Sequence, residues 1–140
     1  MVKKGWIGIA AAAALVLCVA VSAQSESKDK VERGRYLVEE IGKCQDCHTP
    51  RLDNGEYDRT KWLQGAMIDF KPAHPVPKWE DMAPGLTRSG RSQKWGEAAV
   101  AKFLETGLGP KGQKADAPMP LYKMKHEDAA AIAAYLNSLE

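Results

Sequence analysis

The pentapeptide Cys44-Gln45-Asp46-Cys47-His48 constrains the fold of this chain more than any other feature. Two cysteines separated by two residues and followed at once by a histidine form the attachment signature for c-type haem. Two thiols at this spacing can lie on one turn of chain and each add across a vinyl group of the same porphyrin. The next residue can then present its imidazole to the iron. The sequence therefore predicts Cys44 and Cys47 as covalent thioether anchors and His48 as the proximal iron ligand.

Two other kinds of site contain a C-x-x-C pair. A zinc site usually needs a second pair of cysteine or histidine residues at close spacing. Downstream of the motif, the chain has only two isolated histidines, His74 and His126, and no cysteine. A thioredoxin-like dithiol expects strands alternating with helices nearby, whereas the flanking sequence is helical and loop-like. Haem attachment is the favoured interpretation.

The first two dozen residues form a separate unit. Lys3 and Lys4 precede an apolar run over residues 6–21, and Val21-Ser22-Ala23 supplies small residues suited to signal peptidase. This is the layout of a secretory signal peptide, so residues 1–23 are predicted to direct export to the periplasm. The run is somewhat short for a spanning helix, which needs about 20 apolar residues. An uncleaved membrane anchor over residues 5–23 is the alternative.

Charge and cysteine content narrow the possible partners. The chain has 20 basic and 18 acidic residues, and Lys3 and Lys4 account for the excess, so the part after residue 23 is close to neutral. This balance argues against a nucleic-acid partner.

Cys18 lies inside the apolar run with Leu17 before it, so we interpret it as an apolar residue of the signal; lipidation is the minor alternative.

Three helices are predicted after a flexible leader at residues 24–30. The first runs from about Lys28 to Gly42, and the second covers about residues 94–106, with Gly107 as its stop. The third covers about residues 127–138. Their apolar faces, read from helical spacing, contain Gly34, Leu37, Val38 and Ile41 in the first, Val100, Phe103 and Leu104 in the second, and Ile132, Tyr135, Leu136 and Leu139 in the third.

Residues 49–92 show no regular periodicity and no strand signal, and they contain five prolines. A loop of this length without structure of its own is uncommon in a compact domain. A porphyrin resolves the difficulty, because a large apolar plate can act as the core around which loops pack. This segment therefore supports the haem interpretation.

A second axial ligand opposite His48 decides the chemistry of the iron. The candidates are Met67, Met82, Met119, Met124, His74 and His126. Met119 is preferred, because Pro118 and Pro120 fix the backbone on both sides and give a stiff, extended segment. The other methionines are interpreted as packing residues, which is the usual role of methionine. His74 is the rival ligand, and His126 is interpreted as a solvated residue at a helix start.

Together these features resemble the class I mono-haem c-type cytochromes of bacteria, which are exported proteins. The resemblance rests on an N-terminal helix that ends in the C-x-x-C-H motif, a loop-rich middle, Ala117-Pro118-Met119-Pro120 and a last helix ending in Tyr135-Leu136. It implies an all-α cytochrome c fold over residues 31–140, with three to four helices and long loops wrapped around one covalent haem c. It also implies that the first and last helices cross at Gly34 and Tyr135.

The resemblance implies a function in one-electron transfer, without catalysis, through iron held by His48 and Met119. The partners implied are periplasmic redox proteins, such as a dehydrogenase, an oxidase or a bc1-type complex. Residues 33–38 and 83–87 are similar, more weakly, to cytochrome c subunits of periplasmic dehydrogenases. An electron-accepting subunit of such a complex is therefore the alternative. A third hypothesis, a haem enzyme or gas sensor, requires that Met119 not bind iron.

Two further sets of residues are candidates for contacts, one with the haem propionates and one with a partner protein. Trp62, Trp79 and Arg88 are candidate partners of the haem propionates. Lys111, Lys123 and their neighbours flank the Met119 segment and are a candidate basic rim for an acidic partner. The alternative is that these lysines are ordinary soluble surface. The full set of the rim is Lys111, Lys114, Lys123 and Lys125.

Overall fold

The computed structural model describes residues 25–140, apart from the side chains of Ser92 and Gln93. The predicted signal peptide, its alternative as an anchor and Cys18 lie outside the described residues. The helices are α1 (residues 25–36, continued by the π-helical turn Leu37–Ile41), α2 (Gln45–His48), α3 (Arg91–Trp95), α4 (Glu97–Thr106) and α5 (His126–Ser138). Two short strands, β1 (Gly65–Met67) and β2 (Met82–Pro84), and a 3-10 turn at Arg59–Lys61 lie between α2 and α3.

Helix α1 begins at residue 25, about three residues before the predicted start near Lys28, so the described part of the predicted leader is helical. It ends at Gly42 as predicted, where the Gly42 N–H donates to Leu37 O at 2.7 Å. The last turn is π-helical, and such a turn holds an extra residue that changes which side chains share a face. Ile41 is consequently 60% exposed, whereas Leu37 and Val38 are buried. The prediction of Ile41 on the buried face was wrong for this reason.

The first and last helices cross in close contact, as predicted. A Cβ atom added at Gly34 would lie 2.0 Å from the backbone oxygen of Ala131 and 2.8 Å from Cβ of Tyr135. Only glycine therefore permits α1 and α5 to approach this closely. The buried core is formed mainly by α1, α4 and α5, with Val38, Leu104, Ile132 and Leu136 among its members.

The predicted second helix is two helices. Gly96 has φ of 79°, in the region that favours glycine, and separates α3 from α4. Trp95 and Phe103 stack edge to face across this break, with ring centroids 5.4 Å apart. Helix α4 ends at Gly107, with φ of 74°, which confirms the predicted stop.

The loop-rich middle contains an antiparallel hairpin, residues 65–84, that the sequence did not predict. Gly65 pairs with Pro84, Ala66 with Ala83 and Met67 with Met82. Strands of three residues are too short to show the alternation that identifies a strand in a sequence. The all-α class is otherwise confirmed, since helices form the core. Within residues 25–140, no helix combines the length and apolar character needed to cross a membrane.

Candidate functional site

The C-x-x-C-H motif forms one helical turn at the end of α1. Cys44 precedes α2, and its carbonyl oxygen accepts a hydrogen bond from the His48 N–H at 3.0 Å. The Cys44 N–H donates to Val38 O, also at 3.0 Å, which fixes the motif against α1. Lys43 makes the bend between the two helices with φ of 48°. Both thiols therefore lie on the same turn of chain, as the spacing predicts.

Neither cysteine forms a disulfide, and both are half-buried. Burial raises the pKa of Cys44 to about 11 and also raises the pKa of Cys47 above its ordinary value. Reactive dithiols have lowered pKa values instead, because the thiolate is their nucleophile. The environment of Cys44 and Cys47 therefore differs from that of a thioredoxin-like site.

His48 is buried and its ring is oriented by a hydrogen bond. Its Nδ1 lies 2.7 Å from the carbonyl oxygen of Pro84 in β2. A carbonyl oxygen only accepts, so Nδ1 carries the hydrogen and Nε2 keeps its lone pair. Burial lowers the pKa of His48, which favours the neutral imidazole. A neutral ring with one nitrogen bonded to a carbonyl is the usual state of a metal-ligating histidine.

These donors fit a covalently attached haem. The motif offers two thiols on one turn and a neutral imidazole with a free Nε2. Within residues 25–140, no group of three or more His, Cys, Asp and Glu side chains is arranged to hold a metal ion, which removes support for a zinc site. Among residues 25–140, the indole N–H of Trp79 is buried without a hydrogen-bond partner.

Met119 is half-buried in the non-helical segment between α4 and α5. Its N–H donates to Asp116 O at 3.2 Å. Two residues earlier, Ala117 O accepts from the Glu80 N–H at 2.7 Å, and Trp79 and Ala117 form an isolated parallel bridge. The Met119 segment is therefore attached to the same hairpin whose β2 orients His48.

Tyr122 brings the Met119 segment to the motif, and sequence reasoning missed it. Its hydroxyl donates to Gly42 O at 3.4 Å, beside Cys44. Burial raises the pKa of Tyr122, and the nearby sulfur atoms of Cys44 and Cys47 add to this effect. No sequence signal points to this role, because a tyrosine three residues after Met119 belongs to no recognised motif.

The other candidate ligands lie in different places. Met67 and Met82 are cross-strand neighbours on the exposed face of the hairpin, and His74 is exposed in its connection. His126 begins α5, is exposed as predicted, and places Nδ1 2.7 Å from Oε1 of Glu105. Met124 packs against the core at the entrance to α5, which confirms its interpretation as a packing residue.

The three candidate propionate partners differ in whether the side chain has an unused hydrogen-bond donor. The Trp62 Nε1–H donates to the hydroxyl of Tyr135 at 3.3 Å, so this donor is already used. The Arg88 side chain is exposed, and its backbone N–H donates to Leu139 O. Only Trp79 combines a buried donor atom with the absence of an acceptor among the described residues.

Comparison with known proteins agrees with this geometry. The family model described as Cytochrome c matches residues 31–140. The chain is 37% identical over 111 residues to "Diheme cytochrome c-type" of Cereibacter sphaeroides, an alignment that covers 76% of this chain and 34% of the relative. It is 37% identical over 115 residues to one subunit of the nicotinate dehydrogenase of Pseudomonas putida, covering 77% of this chain and 9% of that protein.

A third relative is the "Fructose dehydrogenase cytochrome subunit" of Gluconobacter japonicus. The identity is 31% over 119 residues, and the alignment covers 79% of this chain and 22% of that subunit. The chain thus spans about a third or less of the length of these three relatives.

Proposed function

The chain belongs to the cytochrome c family, and from this premise we propose that it is a one-electron carrier with one haem c attached at Cys44 and Cys47. His48 and Met119 are the proposed iron ligands. The observation that carries the proposal is the hydrogen bond from His48 Nδ1–H to Pro84 O, at 2.7 Å, on the turn that holds both thiols. The single C-x-x-C-H motif in the sequence supports one haem per chain.

The protein contributes rigidity and burial to this chemistry. When bound, haem iron accepts and releases one electron, at a potential set by its axial ligands and by the polarity around it. Pro84 O holds the ring of His48 in one orientation and in one tautomer. The prolines on both sides of Met119 restrict the backbone of its segment, and hydrogen bonds to Ala117 O and Gly42 O attach that segment to the hairpin and to the motif.

The absorption spectrum of the purified holoprotein tests the ligands. We expect the oxidised protein to show a weak far-red sulfur-to-iron band, and Met119→Ala to abolish it. The variant should also have a lower reduction potential, because a thioether ligand raises the potential of haem iron. Carbon monoxide should bind the reduced variant quickly and completely, and the reduced wild type poorly.

Met124→Ala and Met82→Ala are the matched controls, since one methionine packs in the core and the other is exposed. Both should keep the band. A wild-type spectrum without the band, unchanged by Met119→Ala, would point to His74 or to an open iron site, and would favour the enzyme or sensor hypothesis. Absence of covalent haem from the purified chain would overturn the proposal as a whole.

A second candidate function is that of an electron-accepting subunit in a dehydrogenase complex. The similarity to the cytochrome subunit of fructose dehydrogenase and to a subunit of nicotinate dehydrogenase favours it. Size-exclusion chromatography of the protein purified from its own bacterium separates the two. A stable assembly with a dehydrogenase supports the complex, whereas a monomer that is reduced by transient encounters supports the free carrier.

Export belongs to the same proposal, because residues 1–23 have the layout of a signal peptide. We expect the protein in the periplasmic fraction, either soluble or held to the membrane through residues 5–23. Cell fractionation followed by N-terminal sequencing distinguishes cleavage after Ala23 from retention of the anchor. Recovery in the cytoplasm would contradict export.

A further inference from the structure

Met67 and Met82 are more exposed than is usual for methionine, which is most often buried. Met67 is 65% exposed and Met82 is 55% exposed, and neither belongs to the core cluster. The other two methionines of residues 25–140 are half-buried: Met124 packs against the core, and Met119 is the proposed iron ligand. Solvent therefore reaches the first two side chains freely, whereas the protein covers most of the other two.

The hairpin places the two exposed thioethers side by side. Met67 lies opposite Met82, and the Ile68 N–H donates to Asp81 O at 2.9 Å in the same register. Met67 and Met82 therefore form a pair of the non-hydrogen-bonded kind, in which opposite side chains approach most closely. The neighbouring alanines, one on each strand, are buried on the other face of the sheet. Both methionine side chains consequently share the exposed face.

Exposure decides which methionine an oxygen-donating oxidant attacks first. The oxidant must reach a lone pair on sulfur, and susceptibility to oxidation follows exposure. The side chains of Met67 and Met82 are open to such an oxidant, whereas binding to iron would already use a lone pair of the Met119 sulfur. We propose that Met67 and Met82 are a site of reversible oxidation to methionine sulfoxide, and that this site consumes oxidant before Met119 is attacked.

Hypochlorous acid is one oxidant of this class, and its reaction with a thioether is balanced without a further reactant. A sulfur–oxygen bond forms and the oxygen–chlorine bond breaks. The sulfur loses two electrons to chlorine, which leaves as chloride, and the proton of hypochlorous acid goes to water. Methionine sulfoxide reductases restore the thioether, so the pair can be used again.

The hairpin tolerates this change because of where the pair lies. A sulfoxide is polar and disrupts a core, but on the exposed face of the sheet it stays in water. The group that orients His48 is the backbone oxygen of Pro84, which the oxidation of a side chain two residues away does not alter. The oxidised protein should therefore keep its fold and its iron ligands. The protection of Met119 rests on the proposed function, because it requires that Met119 bind iron.

Peptide mapping of the holoprotein by mass spectrometry tests the site. The ferric holoprotein is treated with increasing, limiting amounts of hypochlorous acid, and sulfoxide is measured at each methionine. We expect sulfoxide at Met67 and Met82 to exceed that at Met119 and Met124 by on the order of tenfold, because exposure governs the attack. The far-red band should survive while the pair is consumed. Sulfoxide at Met119 or Met124 as early as at the pair would overturn the proposal.

The double variant Met67→Leu and Met82→Leu tests the protection of Met119. Leucine keeps a similar apolar volume but offers no sulfur, so the far-red band should be lost at a smaller dose of hypochlorous acid than in the wild type. Met124→Leu is the matched control and should lose the band at the wild-type dose. Equal doses for all three proteins would overturn the protective role. A wild type without the band before treatment would instead contradict the proposed function, so the two failures are distinguishable.

Discussion

At the scale of single residues, Tyr135 joins three parts of the chain. Its hydroxyl donates to Oε1 of Glu39 in α1 at 2.6 Å and accepts from Nε1 of Trp62 in the loop-rich middle at 3.3 Å. Oε2 of Glu39 also pairs with Arg35. Burial raises the pKa of Tyr135 to about 12, so the hydroxyl stays protonated and can donate throughout the neutral range. One buried oxygen thus holds α1, α5 and the middle segment together.

We expect Tyr135→Phe to destabilise the holoprotein by about 1–3 kcal/mol, because the substitution leaves the Trp62 N–H without its acceptor and Oε1 of Glu39 without its donor. Denaturant unfolding measures the change. Tyr36→Phe is the control, since Tyr36 is 46% exposed on α1, and it should cost less than about 0.5 kcal/mol. Equal costs for the two variants would contradict the linking role of Tyr135.

Residues with a strong chemical signature were predictable, and backbone groups were not. The spacing of Cys44, Cys47 and His48 indicated one turn of chain, which the structure confirms. The oxygen that orients His48 belongs to the backbone of Pro84, 36 residues further on. Every residue carries a carbonyl, so nothing in the sequence distinguishes that one.

At the scale of elements, the crossing of α1 and α5 depends on the absence of a side chain at Gly34. Gly34→Ala would place Cβ 2.0 Å from the backbone oxygen of Ala131, and a backbone atom can give way only by separating the helices. We expect a loss of stability of about 3 kcal/mol or more, at the upper end of the cost of overpacking. Thermal unfolding followed by circular dichroism of the holoprotein is the measurement.

Gly112→Ala, in the loop between α4 and α5, is the control for Gly34→Ala. A Cβ atom at Gly112 would meet nothing within 4 Å, although φ is 75°. The cost should therefore be that of the left-handed backbone alone, about 1–2 kcal/mol. A smaller loss for Gly34→Ala than for Gly112→Ala would show that the helix crossing tolerates a side chain.

The ends of helices were more predictable than their interiors. Gly42 and Gly107 were predicted as stops and terminate α1 and α4. The break at Gly96 was missed, because the apolar residues that identified this helix, Val100, Phe103 and Leu104, all lie after it. The π-helical turn of α1 was also missed, since one extra residue in a turn leaves no mark on a sequence, and Ile41 was assigned to the wrong face.

At the scale of the whole molecule, charge is balanced but unevenly placed. The part after residue 23 is close to neutral, yet four exposed lysines flank the Met119 segment in the sequence: Lys111, Lys114, Lys123 and Lys125. A local basic rim attracts an acidic partner at short range, and salt screens this attraction. The rim remains a prediction about function, because lysines in such positions are also typical of soluble surface.

The double variant Lys111→Glu and Lys123→Glu tests the rim. We expect electron transfer to an acidic partner protein at low ionic strength to slow by about tenfold or more, as for the loss of electrostatic steering. Stopped-flow kinetics over a range of salt concentrations is the measurement. The control reverses the same number of charges elsewhere, at Lys28 and Lys94. Unchanged rates and unchanged salt dependence for the first variant would exclude the rim.

The hairpin over residues 65–84 has a consequence for motion. It carries the carbonyl that orients His48 and the Glu80 N–H that attaches the Met119 segment. Proteins open locally in contiguous cooperative units, and the hairpin is short enough to open as one. Such an opening would release both supports in a single event, so the two proposed iron ligands, His48 and Met119, would lose their restraint together rather than in turn. Local opening of this hairpin, and not of the helical core, should set the rate at which small molecules from solution reach the haem iron.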